Sequence, residues 1–80
     1  MSCAEAVLRI LARVADTGEV LRNPDLRLYD LQILDSLRTV ELILALSQEL
    51  GVDISPAELE HDDWATPRQI VGYVEARLAS

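Results

Sequence analysis

Apolar residues recur at helical spacing in three long stretches of the chain, and between the first two the spacing is lost. In residues 4–15, AEAVLRILARVA, Val7, Leu11 and Val14 fall on one face with Leu8 and Ala15 beside them, while Arg9 and Arg13 share another. That is the pattern of an amphipathic helix. The segment DTGEV stops it, with Gly18 as the breaker. From Leu21 to Leu34, Asn23-Pro24-Asp25 marks a turn, and Leu26, Leu28, Tyr29, Leu31 and Ile33 are apolar without strict alternation. A strand pair would need a second matching strand, and none is on offer. The stretch reads as a long loop whose apolar side chains tuck over helices, and loops of that length in compact domains are usually functional.

The second helix is predicted from Ser36 to Leu50, ending at Gly51. At 100° per residue, Val40, Ile43, Leu44, Leu46, Ser47 and Leu50 form a broad inner face. Arg38, Glu41, Ala45, Gln48 and Glu49 take the opposite arc, with Leu37 and Leu42 at its borders. SPAE at 55–58 has the form of a capping box, with Ser55 as cap, Pro56 at the first helical position and Glu58 three residues on. It opens a short helix to His61. TPRQ at 66–69 repeats the device and opens a last helix in which Ile70, Val71, Val74 and Leu78 share a face. Trp64, the one tryptophan, is expected to plug the space between the short helix and the last. The predicted fold is all-α, a four-helix bundle of three longer helices and one short one, with the long loop between helices 1 and 2.

Eighty residues, half of them apolar, make a single domain over 1–80 with no room for a second core. Cys3 stands alone, so no internal disulfide staples the fold. No apolar run is long enough to cross a bilayer and the N-terminus lacks a basic-then-apolar leader, which gives the cytosol as the expected compartment. Fourteen acids against seven bases, all of them Arg, leave a net charge of −7. Such a chain repels nucleic acid phosphates and suits partners with basic docking patches.

Catalytic groups are missing from the pattern. His61 is the only histidine, without a second His or a Cys beside it to make a zinc site. The acids Glu60, Asp62 and Asp63 lack the spaced oxygens and central Gly of a calcium loop, and three scattered glycines build no phosphate cradle. No catalytic residue and no metal ligand is assigned. A Ser36–His61–Asp hydrolase is the distant third reading.

Attention falls on Asp35-Ser36, set at the start of the second helix. Asp or Ser there is an ordinary cap, since its oxygen accepts hydrogen bonds from free N–H groups. Asp35 can cap by itself, which leaves the Ser36 hydroxyl facing outward at the mouth of the long loop. A phosphodiester on that oxygen would sit where the helix macrodipole favours negative charge. Arg38 is near enough to add a donor to it, or is simply a solvated residue.

These residues carry a resemblance. LDSLRTVELI, preceded by LRLYDLQI, resembles the phosphopantetheine attachment motif of the acyl carrier protein superfamily, an Asp-Ser-Leu followed by a Val-Glu-Leu helix. The similarity spans roughly residues 20–78. LYDLQILDSLRTVELILAL, LGVDI and DDWATPRQIVGYV are most similar to the D-alanyl carrier proteins, with LDS in place of the glycine-containing GxDS of fatty-acid carriers. The resemblance implies a non-catalytic four-helix carrier. A phosphopantetheinyl transferase, using coenzyme A and magnesium, would attach 4′-phosphopantetheine to Ser36, with Asp35 in the recognition motif. The arm's thiol would hold an acyl or aminoacyl group as a thioester, in this subgroup D-alanine, loaded by an ATP-dependent ligase and passed to a membrane-associated acyltransferase for teichoic acid esterification. Leu37, Arg38, Val40, Glu41 and Leu42 fall in the zone where carriers meet partner enzymes, and the carrier is expected to be a monomer.

Two departures stand out. Gln32 occupies a place where D-alanyl carriers generally have glycine, so a left-handed turn there would be strained and the loop is expected to differ locally. Arg38 replaces a small residue and brings a positive charge into the docking zone, which keeps another aminoacyl or acyl cargo open. The rival class is a helical interaction module without a prosthetic group, using Leu37, Leu42 and Ala45 as a binding strip.

Overall fold

A computed structural model describes residues 3–55 and 64–79. The first helix, α1 (Cys3–Ala15), buries Val7, Leu11 and Ala15 from the face that the spacing marks out, and with them Ile10, whereas Leu8 and Val14 are only half-buried. Its end is made differently from the expectation. Asp16 takes a left-handed φ of 57°, and the Thr17 N–H donates to the Ala12 carbonyl at 3.2 Å. This is the Schellman arrangement, in which a left-handed residue lets the next N–H reach back to an orphan carbonyl. Asp tolerates that conformation better than most side chains. Gly18 has a φ of −85° and instead precedes α2 (Glu19–Arg22), a single turn that begins in the segment read as the helix stop and runs into the stretch without a period. Four residues cannot sustain a helix by propensity. Burial of Val20 to 1% exposure, against α1, supplies the reason that it forms.

Helix α3 (Ser36–Leu50) begins at Asp35 and stops at Gly51, which adopts a φ of 69° and donates its N–H to the Ser47 carbonyl at 3.0 Å. Its bounds match the expectation; its rotation does not. Leu42, Ile43 and Leu46 are buried and Leu50 is half-buried, whereas Val40 and Leu44, assigned to the inner face, are exposed. Leu42, read as a border residue, has no exposed surface at all. Because α3 is apolar around more than half its circumference, periodicity marks a wide arc. Packing against α1 chooses which edge of that arc goes inward.

The last helix, α4 (Pro67–Ala79), opens with the predicted capping box. The Gln69 N–H donates to Thr66 Oγ1 at 3.3 Å, and Gln69 Oε1 accepts from the Ala65 N–H at 3.0 Å. Pro67 has no N–H to satisfy, and the Arg68 N–H finds the Pro24 carbonyl at 3.0 Å. Every first-turn donor therefore has a use. Ile70 and Val74 are fully buried, Val71 is half-buried, and Leu78 is 43% exposed rather than part of the core face. Trp64 sits in the core at 1% exposure, edge-on to Tyr73 with ring centroids 5.4 Å apart. The short helix expected after Ser55 falls on residues outside those described, as do His61, Glu60, Asp62 and Asp63. The described chain thus holds four helices, three longer and one short, with the short one at Glu19–Arg22. The other three pack on α1. No described helix is long and apolar enough to cross a membrane.

The segment between α2 and α3 is tied down rather than loose. Leu26, Leu28 and Leu34 are buried, as the apolar content of the loop foretells. Leu28 donates its N–H to the Ala65 carbonyl at 2.9 Å, and its own carbonyl accepts from both Ile33 and Leu34 at 2.8 and 3.0 Å. Arg68 Nε meets Asp25 Oδ1 at 3.1 Å, a second tie between this segment and α4. Within the turn, Gln32 has a φ of 60°. The turn therefore takes the left-handed geometry that favours glycine on a Cβ-bearing residue. Such a residue costs about 1–2 kcal/mol, partly offset because glycine loses more freedom on folding. Gln32→Gly is expected to raise stability by about 0.5–1 kcal/mol, a melting-point gain of about 2–8 °C. A thermal melt with no gain would show that the turn is unstrained.

Candidate functional site

The start of α3 is organised around one residue. Asp35, in an extended conformation (φ −137°, ψ −172°), accepts the Arg38 N–H on Oδ1 at 2.8 Å. Its carbonyl accepts twice from Thr39, from the N–H at 2.9 Å and from Oγ1 at 2.7 Å. Asp35 is thus the cap, and it caps without help from its neighbour. Ser36 is exposed, and its hydroxyl takes part in none of these bonds. The N–H groups of Ser36 and Leu37 lack intrahelical acceptors by the geometry of a helix start, so a partial positive charge surrounds the hydroxyl.

Tyr29, from the preceding loop, completes the arrangement. Its hydroxyl lies 2.7 Å from Thr39 Oγ1. Burial pushes the Tyr29 phenol above its usual range, the bond to Thr39 opposes this in part, and the charge of Asp35 adds to the rise. The phenol is therefore protonated wherever the protein is folded at ordinary pH. Neither Tyr29 nor Thr39 stands out as a site residue in the sequence. Thr39 carried a readable signal, since a Thr hydroxyl in a helix can return to the carbonyl four residues back. Tyr29 carried none, because its reach depends on the path of the loop.

Arg38 takes neither of the roles considered for it. Its Nη1 donates to the Ala15 carbonyl at 2.8 Å, which places the half-buried guanidinium on the closing turn of α1. A cation at a helix C-terminus is favourably placed. The positive charge expected in the docking zone is turned toward the end of α1. Leu42 is likewise removed from the docking set, because a fully buried side chain cannot meet a partner. What remains beside Ser36 is an exposed ridge of Leu37 (68%), Val40 (42%) and Leu44 (55%), with Glu41 exposed on the same side. Leu44 was missed as a surface residue because the periodicity put it inward. Ala45, read with Leu37 and Leu42 as a binding strip, is half-buried against the core.

An exposed primary alcohol at the positive end of a 15-residue helix suits a negatively charged phosphodiester, and the cap has already satisfied the donor that would compete for it. The arrangement fits a 4′-phosphopantetheine group on Ser36. The chain matches the family described as "Phosphopantetheine attachment site" over residues 5–74. It is 37% identical over 76 residues to the D-alanyl carrier protein of Listeria monocytogenes serotype 4b, covering 95% of this chain and 97% of that protein. It is 38% identical over 76 residues to the D-alanyl carrier protein of Enterococcus faecalis, with the same coverage. The D-alanyl carrier protein of Staphylococcus saprophyticus is 37% identical over 75 residues. With an acidic-capped serine exposed at its helix start and a match over nearly its whole length, the chain belongs to the phosphopantetheine-attachment family of carrier proteins.

Proposed function

We propose that this chain is a D-alanyl carrier, in which Ser36 bears the phosphopantetheine arm and partner enzymes load and unload it. The observation that carries the reading is the exposed Ser36 hydroxyl beside a cap, Asp35, that does not need it. In the modification, Ser36 Oγ forms a bond to the pantetheine-linked phosphorus of coenzyme A. The pyrophosphate P–O bond breaks, adenosine 3′,5′-bisphosphate leaves, and the hydroxyl proton passes to a base on the transferase. The arm supplies a terminal thiol that holds the cargo as a thioester.

The chain's own residues present and position. Asp35 fixes the helix start, and the first turn offers positive potential to the new phosphodiester. The ridge of Leu37, Val40 and Leu44, with Glu41 beside it, serves as the shared docking face for the transferase, an ATP-dependent ligase and an acyltransferase. An exposed apolar ridge rimmed by an acid gives each partner both area and steering. Ligase and transferase draw on ATP and coenzyme A, which puts the work of loading in the cytoplasm. D-Alanine as cargo is supported by the relatives, whose similarity covers the helices and the site loop alike.

The test has two steps. Intact-protein mass spectrometry after incubation with coenzyme A, magnesium and a promiscuous transferase should show one added arm. No addition, with a control carrier modified in the same tube, would return the exposed ridge to the rival reading of an interaction module. The modified chain is then offered to a D-alanine-activating ligase with ATP and D-alanine, L-alanine or glycine. A thioester adduct with D-alanine well above the others is the expected outcome, and equal or absent loading would sink the assignment of cargo.

A further inference from the structure

We propose that Tyr29 is a positioning residue for the modification of Ser36, acting through Thr39 and the Asp35 carbonyl. The inference rests on Ser36 being the attachment residue. Thr39 Oγ1 has a single proton, and it donates that proton to the Asp35 carbonyl at 2.7 Å. The 2.7 Å contact between Tyr29 and Thr39 is then donated by the phenol. A hydroxyl that accepts one bond while donating another is held in one rotamer and polarised as a donor.

The peptide bond between Asp35 and Ser36 is the plane that this chain of bonds grips. Its carbonyl receives two donors from Thr39, and its nitrogen belongs to Ser36. Because the peptide is planar, holding the carbonyl fixes the direction in which the Ser36 backbone leaves it. Only the backbone torsion at Ser36 and its side-chain torsion then remain to aim Oγ. The carboxylate of the same residue is held by the Arg38 N–H, so the plane is gripped on both sides of Asp35.

Tyr29 also anchors the approach to the site. It lies in the turn closed by the bonds from Gln32 to Tyr29 at 3.1 Å and from Ile33 to Leu28 at 2.8 Å, where Gln32 is strained. The phenol ties that turn to the first turn of α3 across ten residues of sequence. A loop holding a strained residue needs such a tie to keep one conformation, and this tie ends on the same Thr39 that grips the Asp35 carbonyl. The docking ridge of Leu37, Val40 and Leu44 is separate from this chain of bonds.

The experiment compares steady-state modification of wild type, Tyr29→Phe, Thr39→Val and the double variant by one transferase, far below each melting temperature. Loss of aim with docking intact is expected to lower kcat about tenfold and leave KM for the carrier within about twofold, the scale on which small misplacements act. Thr39→Ser, which keeps the hydroxyl, should restore most of the rate. The double variant should lose no more than the worse single, because both break one chain. Unchanged kcat in Tyr29→Phe and Thr39→Val, with only a lower melting temperature, would reduce the bonds to a structural role and overturn the inference alone. Failure of the wild type to be modified would overturn the attachment reading, and this inference with it. If Tyr29→Phe does not fold, the contrast between Thr39→Val and Thr39→Ser decides by itself.

Discussion

Ser36→Ala is expected to abolish attachment of the arm completely while leaving the fold as stable as before. The first half follows from chemistry: alanine has no oxygen to bond to phosphorus, and the nearby hydroxyls of Thr39 and Tyr29 are engaged with the Asp35 carbonyl and with each other. Ser47, exposed three turns further along α3, lies away from the helix start. The second half follows from the division of labour at that start. Asp35 makes the capping bond to Arg38, Thr39 makes the return to the Asp35 carbonyl, and the Ser36 hydroxyl makes neither. Substitutions at such exposed positions usually move stability by no more than about 0.5 kcal/mol. Paired mass spectra and thermal melts would read both halves. A variant still modified would put the attachment elsewhere, and one that melts far lower would make Ser36 part of the cap after all.

Trp64→Ala is expected to have the largest effect on the fold, a loss of about 3–5 kcal/mol. The ring is 1% exposed and meets Tyr73 edge-on at an interplanar angle of 89°, with the Arg77 guanidinium 5.9 Å from the Tyr73 ring centre on its other contact. Removing it empties a large volume in a small core and deprives Tyr73 of its partner. At about 0.05–0.15 kcal/mol per residue, a domain of this size has roughly 4–12 kcal/mol in all, so the variant would be near unfolding at body temperature. The melting point should fall by about 12–40 °C. One feature limits the loss: among the described residues, Trp64 Nε1 is buried without a hydrogen-bond partner, a donor whose burial already costs something. Trp64→Phe should therefore lose much less than Trp64→Ala. A loss below about 1.5 kcal/mol for alanine would mean that the site collapses around the gap.

Local chemistry was legible wherever one residue type has one job. Asp35 as cap, Gly51 as stop, and the Thr66-Pro67-Gln69 box were readable because capping depends on atoms within four residues of each other. The exposure of Ser36 was readable for the same reason, since a neighbour able to cap frees it. The burial of Trp64 followed from its size. Gln32 offered a harder case. Its side chain argued against a left-handed turn, yet the turn is there, because Leu28 and Leu34 are buried on either side and the chain between them has only one short way round.

What the amino-acid order determined by itself was the class of the molecule: the three longer helices, the caps of α3 and α4, and one serine left free at a positive helix end. Tertiary structure alone decided which side of α3 faces out, and so exchanged Leu42 for Leu44 on the surface beside that serine. It also sent Arg38 to the end of α1 and brought Tyr29 to Thr39. The reason is one of range. Caps and periods are set by neighbours in sequence, whereas the rotation of a helix that is apolar on most sides, and the reach of a long side chain, are set by whatever packs against them.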